Sequence, residues 1–213
     1  MSGHMASEKA KLLEAALAHV PFDGWSEATL RHAAADAGLQ ETDARRAFPR
    51  GPIDLVAYYV ADADIRMLRE LERVDLPSMR IRDRITLAIR TRLEQNQAHR
   101  EAVGRAVSLL AMPQHGTLAA KSLYRTVDAM WHAAGDTATD FNFYSKRAIL
   151  AGVYSATLMY WLNDNSENSE RTWAFLDRRI ADVMRYEKVK GRVSKLRERL
   201  PDPFRLLRRA PGL

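Results

Sequence analysis

The chain contains no cysteine, which excludes a disulfide framework, a thiolate metal site and a cysteine nucleophile and suits a reducing compartment. It has no glycine-rich phosphate-binding loop and no convincing run in which β-branched and polar residues alternate. No signal peptide is expected, because charged residues interrupt the first apolar run at Glu8, Lys9, Lys11 and Glu14. These absences favour a helical fold that forms without disulfides.

Candidate catalytic and metal-binding groups are sparse. Asp128 and His132 would share one helix face, but the chain has no Glu-x-x-His pair with which to build a di-iron centre. His132 and Asp136 fit a hydrogen bond at a helix end better than catalysis. The six histidines are scattered along the chain, at His4, His19, His32, His99, His115 and His132. We therefore expect no catalytic residue, no metal site, no cofactor and no enzyme activity.

The net charge of +6 is concentrated near the carboxyl end. Residues 185–209 contain ten Lys and Arg against three Asp and Glu, whereas the rest of the chain holds 23 basic and 24 acidic residues. Val189, Val193, Leu196 and Leu200 recur there at helical spacing, with basic residues on the other faces. Any electrostatic function of the protein is therefore expected in this tail.

A basic amphipathic helix of this kind suits an anionic membrane surface. The residues expected to contact the membrane are Lys190, Arg192, Val193, Lys195, Leu196, Arg197 and Leu200. Two alternatives are a helix that packs on a partner subunit and a tail that contacts nucleic acid non-specifically.

Apolar residues recur at helical spacing along almost the whole chain, which predicts an all-α fold of nine or ten helices. The organisation that follows has four parts. They are an expected expression scar over 1–5, a helix-turn-helix-like unit over 6–50, a helical body over 51–187 and the basic amphipathic tail over 188–213.

The eighth predicted helix, over residues 140–162, has no charged residue from Ala148 to Leu162 and is apolar on every face. This pattern is typical of a buried central helix, and 15 residues are too few for a membrane span. Small side chains in it permit close helix packing or leave room for a ligand. If a ligand binds, the expected lining residues are Ala148, Ala151, Gly152 and Ser155, opposite Leu109 and Met112 of the sixth helix.

Residues 29–55 resemble the DNA-binding unit of TetR-type regulators, with Gly38 in the expected turn and Phe48 at the end of the expected recognition helix. Two positions depart from that family, since Arg45 replaces an aromatic residue and Gly51 replaces a phosphate-binding lysine. Residues 26–50 hold four basic and four acidic residues. Because non-specific DNA affinity comes mostly from phosphate neutralisation, we expect no DNA binding by this unit.

An aromatic corner formed by Met130, Trp131, Phe143 and Tyr144 flanks a tight polar turn. Gly135 is expected to end the preceding helix, and Thr139 or Asp140 to cap the next one. Met130 and Trp131 are adjacent in sequence and point about 100° apart on a helix, so they cannot both face one core. The corner is therefore either ordinary core packing or a partly exposed partner surface.

The sequence around this corner resembles the Coq-nine family of ubiquinone biosynthesis proteins, over about residues 12–184. The segments that carry the resemblance are Asp128 to Asp136, Thr139 to Asn142, Tyr144, Arg147-Ala148, Leu150-Ala151, Thr172-Trp173, Phe175-Leu176 and Arg179, with His19-Val20-Pro21 and Gly24-Trp25 earlier in the chain.

The resemblance implies a TetR-like fold, a homodimer and a protein that does not regulate transcription. It also implies that the helical body binds lipids, either isoprenoid quinone intermediates or phospholipid. The implied protein partner is the demethoxyubiquinone hydroxylase, or another hydroxylase of the pathway, docked on Met130, Trp131, Phe143 and Tyr144. Mammalian members have Trp at the position of Phe143.

Three hypotheses follow for the function. The first is a non-catalytic lipid-binding accessory of ubiquinone biosynthesis, the second is a TetR-type ligand-responsive repressor, and the third is a membrane-binding adaptor without a lipid pocket. For the first, we expect a cytoplasmic protein at the inner face of a bacterial membrane, or the matrix side of the mitochondrial membrane if the chain is trimmed.

Overall fold

The computed structural model of the chain describes the backbone of residues 2–136 and 141–199 and the side chains of residues 4–136 and 143–185. Within those ranges it contains nine α-helices joined by turns and short 3-10 segments and no β-strand, which confirms the predicted all-α fold. The helices are α1 (Ser2–Asp23), α2 (Glu27–Asp36), α3 (Glu41–Ala47), α4 (Pro52–Leu71), α5 (Ile81–Glu94), α6 (Arg100–Leu110), α7 (Gly116–Ala133), α8 (Phe141–Leu162) and α9 (Glu170–Arg199).

The first three helices form the predicted helix-turn-helix-like unit. Ser26 caps α2, because its Oγ accepts a hydrogen bond from the backbone N–H of Thr29 at 3.2 Å. Gly38 follows the end of α2 with φ +66°, and the N–H of Leu39 returns to the carbonyl of Ala34 at 2.8 Å. Trp25 ties this unit to the body, since its indole N–H donates to the carbonyl of Ala102 in α6 at 3.0 Å.

Two hydrophobic clusters build the interior. One joins α1, α2 and α3 to the start of α4 and to α6, around the fully buried Leu12, Phe48 and Leu55. The other lies in the helical body, around the fully buried Ile89 and Trp161. Val103 of α6 packs against both clusters, so α6 is the structural link between the two parts of the chain.

Helix α8 packs against α6, α7 and α9, as a central helix should. One face is buried, at Leu150, Val153, Tyr154, Thr157 and Trp161. The opposite face is exposed, at Tyr144, Ala148, Gly152, Ala156 and Met159. The expectation of a helix buried on every side is therefore wrong for the single chain, because the larger side chains face the core while an uncharged outward face remains exposed.

The polar turn between α8 and α9 is organised by Asp164. Its carboxylate accepts hydrogen bonds from the backbone N–H and hydroxyl of Thr172, at 2.9 and 2.6 Å, and from those of Ser166, at 2.9 and 2.7 Å. Burial opposes ionisation of Asp164, but these hydrogen bonds outweigh it and hold the pKa of the carboxyl well below its usual value. Asp164 therefore fixes the angle at which α9 returns along α8.

Two helix boundaries differ from those that the sequence predicts, which are an end of the first helix at Val20, before Pro21, and an end of the body at residue 187. Helix α1 continues past Pro21 to Asp23, because a proline in the last turn removes a single helical hydrogen bond. Helix α9 continues from the body into the basic segment as far as Arg199, without a break near residue 187. Among the described helices, none is long and apolar enough to cross a lipid bilayer.

Candidate functional site

A cavity of about 280 Å³ lies in the helical body, between α4, α5, α6, α7 and α8. Its apolar walls come mainly from α6, the first half of α7 and the second half of α8. Those lining residues are Leu93, Val103, Ala106, Val107, Leu110, Ala111, Ala119, Leu123, Leu158, Met159 and Trp161. A largely apolar wall with a few polar groups is the usual composition of a small-molecule site.

The polar side of the cavity is built on Asp64, a buried carboxylate of α4. It accepts hydrogen bonds from Arg92 of α5 at 3.1 Å, from Arg125 at 3.1 Å and from the hydroxyl of Thr126 in α7 at 2.9 Å. Arg92 and Thr126 line the cavity. Burial opposes the charge on Arg92, but the neighbouring Tyr154 and Asp64 raise its pKa, so the guanidinium stays charged.

Three further polar residues share this side of the cavity. Tyr59 donates a hydrogen bond to the side-chain oxygen of Asn96 at 2.9 Å, and burial raises the pKa of Tyr59 to about 12. Burial also raises the pKa of Tyr154, which is only 6% exposed. Both phenols are therefore protonated at neutral pH and can donate hydrogen bonds. Ser122 of α7 lines the same region.

Among the six residues predicted to line a lipid site, the structure places Ser155 in the cavity wall. Ala148 and Gly152 lie on the exposed face of α8, and Ala151 packs on the core of the body. The other two, on or just after α6, are Leu109, which packs on the N-terminal cluster, and Met112, which is exposed. Their role in lipid binding stays a prediction. Sequence reasoning missed Arg92 and Tyr154, although an arginine inside an apolar helical pattern is a signal of a buried polar group.

The aromatic corner lies at the end of α7 and the start of α8. Met130 is fully buried, Trp131 and Phe143 are partly buried, and Tyr144 is 67% exposed. The Phe143 and Tyr144 rings pack edge to face, with centroids 5.1 Å apart. In this structure Met130 supports the corner from the core, while Tyr144 presents a surface. Binding of a partner by these four residues stays a prediction.

The predicted end of α7 is confirmed. Helix α7 ends at Ala133, and Gly135 follows with φ +84°. The N–H of Asp136 returns to the carbonyl of Trp131 at 3.0 Å, which completes a glycine-dependent helix end. Residues 137–140, which include the predicted caps Thr139 and Asp140, lie outside the described residues.

An ion-pair network surrounds the corner. Asp136 accepts from Lys146 at 2.7 Å and from Arg147 at 3.3 Å, and Arg147 also donates to Asp128 at 2.6 Å. The Arg147 guanidinium lies 3.3 Å from the centroid of the Phe143 ring. Asp128 therefore serves α8 as an ion-pair partner.

A second apolar depression, of about 500 Å³, lies beside the corner between α5, α8 and α9. Trp131 and Lys146 line it, together with Arg80 and Arg82 before and within the first turn of α5. Within the described part of the chain, the indole N–H of Trp131 has no hydrogen-bond partner. The exposed side of the corner is therefore bordered by basic side chains.

Three of the four arginines in residues 26–50 pair with carboxylates, two within that segment and one at the start of α4. Arg45 contacts Glu41 at 2.7 Å, and Arg46 contacts Asp43 at 3.1 Å. Arg50 contacts Asp54 at 2.7 Å. The neutral balance seen in the sequence is therefore matched by the arrangement of the charges. Binding of nucleic acid is not expected from this arrangement and stays untested.

Two histidines that are far apart in sequence meet between α1 and α2. His19 is hydrogen-bonded to Asp36 at 2.7 Å, and His32 to Asp23 at 3.0 Å. Possible ligand atoms of His19, Asp23 and His32 lie within 4.8 Å of one another, which makes these the residues of the described chain that could hold a metal ion. No sequence pattern indicated this grouping, because the two histidines lie on different helices. The two His–Asp pairs join α1 to α2 at the surface.

The tail residues predicted to contact the membrane fall partly on α9. Lys190, Arg192, Val193, Lys195, Leu196 and Arg197 belong to its last turns, but their side chains lie outside the described set, and Leu200 lies outside the described residues altogether. Membrane contact by the tail stays a prediction.

Comparison with known proteins shows which family this chain resembles. Residues 116–187, which span α7, α8 and much of α9, match the COQ9 family. The ubiquinone biosynthesis protein COQ9 of Rattus norvegicus is 35% identical over 181 residues, covering 82% of this chain and 58% of the rat protein. The Homo sapiens protein is 34% identical over 82% of this chain and 57% of its own length, and the Drosophila melanogaster protein 30% identical over 84% and 56%. The chain therefore spans less than two thirds of the length of these relatives. The resemblance to the Coq-nine family is confirmed.

A solved structure gives the same fold. The TetR transcriptional regulator from Nitrosomonas europaea superimposes with a TM-score of 0.67 at 22% sequence identity, covering 81% of this chain and 95% of the regulator. At this level of identity the likeness concerns the fold alone, and it confirms the predicted TetR-like architecture.

Proposed function

We propose that this chain, as a relative of the COQ9 family, is a non-catalytic accessory protein of ubiquinone biosynthesis. It binds isoprenoid quinone intermediates in its helical body, at the membrane, and presents them to a hydroxylase of the pathway. The COQ9 relatives carry ubiquinone biosynthesis in their names and are mitochondrial. The present chain shares with them the region from α7 to α9 that forms one side of the cavity and the aromatic corner.

The single observation that carries the proposal is the cavity in the helical body. Its walls are mostly apolar, and its polar groups lie together on one side, so it suits an amphipathic molecule with a ring and a hydrocarbon tail. The lining includes no aspartate, glutamate, histidine or lysine among the described residues. Asp64, the carboxylate behind the polar side, already accepts three hydrogen bonds. A binding role therefore fits this cavity better than acid–base catalysis.

The aromatic corner supports the proposal of a docked hydroxylase, either the demethoxyubiquinone hydroxylase or another hydroxylase of the pathway. Tyr144 is the exposed aromatic residue of the corner. Its ring packs edge to face against Phe143, and the Arg147 guanidinium lies over the Phe143 ring. Exposed aromatic residues backed by ordered neighbours are typical of protein interfaces. The same exposed face of α8 continues through Ala148, Gly152 and Met159 and offers an apolar surface for a homodimer.

The basic tail supports peripheral attachment to an anionic membrane. Helix α9 runs from the body into the segment that carries the positive charge, so membrane binding by the tail would hold the body close to the bilayer. A quinone intermediate that resides in the bilayer is then within reach of the cavity. In a bacterium this surface is the cytoplasmic face of the inner membrane.

A TetR-type ligand-responsive repressor is the second candidate. The structural neighbour from Nitrosomonas europaea is named a transcriptional regulator, and the N-terminal unit has the corresponding helices. The paired charges of Arg45 and Arg46 weigh against it, because an arginine bound to a carboxylate must give up that contact before it can neutralise a phosphate.

Native mass spectrometry after gentle purification tests the proposal. We expect co-purified isoprenoid quinone intermediates or phospholipid in the wild-type protein. The Ala119→Trp variant, which fills the cavity wall, should lose them, whereas Ala120→Trp on the exposed neighbouring position should retain them. A protein that is empty in all three forms and that retards operator DNA would contradict the proposal and support the repressor.

A further inference from the structure

The polar side of the cavity contains hydrogen-bonding groups that the protein leaves free. The hydroxyls of Tyr154 and Ser122 line the cavity, and neither has a hydrogen-bond partner among the described residues. Both residues are deeply buried, 6% and 4% exposed. Because these hydroxyls face the cavity and have no protein partner, they can form hydrogen bonds with water or with a ligand.

Arg92 adds a third free group at the same place. Its Nε donates to Asp64 at 3.1 Å and its Nη2 to the carbonyl of Val60 at 3.4 Å. In the described residues Nη1 has no acceptor. Arg92 lines the same cavity as Tyr154 and Ser122. The cavity wall therefore contains three donors that the described protein groups do not use.

The cavity opens on its apolar side. Met159 is 50% exposed and Ala111 is exposed, and both line the cavity where α8 passes the end of α6. The free donors lie at the other side, on α5 and near the middle of α7 and α8. An amphipathic ligand that satisfies the donors must therefore enter with its polar end first and leave its hydrocarbon end toward Met159.

The size of the cavity fits this orientation. Pockets that hold a drug-sized ligand measure about 300–1,000 Å³. A cavity of about 280 Å³ is close to the lower end of that range, so it accommodates one ring and little more. A chain of many isoprenoid units does not fit inside it and would extend from the mouth.

We propose that the cavity binds the oxygen-bearing ring of a prenylated quinone or phenol in its interior, through Tyr154, Ser122 and Arg92, and leaves the prenyl tail outside. This inference rests on the proposed function and assigns the specificity-determining residues of that site. Ring oxygens are hydrogen-bond acceptors, and the three protein groups are donors. The tail, once outside, remains free to stay in a bilayer or on the apolar face of α8.

Isothermal titration calorimetry with two probes tests the orientation. One probe is a dimethoxybenzoquinone that carries two isoprenoid units, and the other is the matching ten-carbon hydrocarbon without the ring. The variants are Tyr154→Phe and Ser122→Ala, with Tyr160→Phe as the control. The Tyr160→Phe substitution removes the same hydroxyl group from the same helix. The Tyr160 ring, however, stacks on Phe175 with centroids 4.6 Å apart and does not line the cavity.

We expect Tyr154→Phe and Ser122→Ala each to weaken binding of the quinone about five- to tenfold, because one hydrogen bond is lost, and to change binding of the hydrocarbon less than twofold. Tyr160→Phe should change neither. Thermal unfolding of each variant confirms that the fold is retained.

The outcomes separate this inference from the proposed function. Equal weakening of both probes by Tyr154→Phe, or unchanged binding of the quinone, would overturn the ring-inward orientation and leave lipid binding in place. A wild-type protein that binds neither probe would overturn both.

Discussion

The N-terminal unit and the helical body place their ion pairs in different environments. In the N-terminal unit, Arg45 and Glu41 pair at the surface, where water screens them. In the body, Arg92 and Asp64 pair in the interior beside a cavity. The two charges of a surface pair cancel each other and form no binding site. The buried pair instead holds the Arg92 guanidinium beside a cavity that can receive a ligand.

This difference places the candidate site of the TetR-like fold in the helical body rather than in the N-terminal unit. The helices that in a regulator would meet DNA are retained by their caps and core, at Ser26, Gly38 and Phe48. Their surface carries no unbalanced positive charge. The body has kept an interior polar group that is costly to bury, and such a cost is sustained where the group has a use.

The largest effect is expected from the buried pair. Asp64→Ala should lower the free energy of unfolding by about 3–5 kcal/mol, because Arg92 is left buried without its carboxylate. Glu41→Ala in the N-terminal unit, which breaks a surface pair, should cost less than about 1 kcal/mol. Urea unfolding of the two variants measures both values. Equal effects would show that the two regions do not differ in the way described.

The next effect concerns helix caps. Asp164→Ala should cost about 2–3 kcal/mol, since the buried backbone N–H of Thr172 and its hydroxyl lose their acceptor. Ser26→Ala, the cap of α2, should cost about 1 kcal/mol, because it removes one longer hydrogen bond. A larger loss at Ser26 than at Asp164 would contradict this order.

Asp164 also gives a pH dependence. Its pKa is lowered in the folded protein, so its contribution is complete above the unfolded value of about 3.9 and is lost as the pH falls below it. The stability difference between the wild type and Asp164→Asn should therefore be constant at neutral pH and shrink below about pH 4. Urea unfolding at pH 7, 5, 4 and 3 measures this trend.

Local features of the fold were predictable from the sequence. The Ser26 cap and the turns at Gly38 and Gly135 depend on side chains within a few residues, so the sequence alone identifies them. The all-helical pattern was predictable for the same reason. The continuation of α1 past Pro21 was not, because the surrounding helices decide whether a last turn survives a proline.

The cavity could be predicted only in part. Small residues on α8 suggested room for a ligand, and of the residues predicted there Ser155 lies in the cavity wall. Arg92 meets Asp64 across 28 residues and Thr126 meets it across 62, and helical periodicity carries no information about such pairs. The exposed face of α8 was missed because apolar residues occupy both of its faces.

The smallest expected effect comes from restoring charge to the N-terminal unit. The double variant Glu41→Gln and Asp43→Asn releases Arg45, whereas Arg46 keeps its ion pair with Glu8 at 3.3 Å. The amide introduced by the second change keeps an oxygen that can accept from the backbone N–H of Gln40. One additional phosphate contact should give weak DNA binding at low salt, which falls about three- to fourfold between 50 and 200 mM salt. Fluorescence anisotropy with a labelled duplex measures this change.

The matched control carries the same two charge changes in the body, at Glu70→Gln and Glu72→Gln near the end of α4. If DNA binding depends on the position of the charge, the control should remain as weak as the wild type. An equal gain in the control would mean that only net charge matters, and strong binding by the wild type would mean that the unit is already a DNA reader. Arg45, the arginine that is released, lies on the helix that a TetR-type unit directs toward DNA. A gain in DNA binding confined to the first variant would therefore show that the unit retains the geometry for binding DNA and that its own acidic residues prevent it.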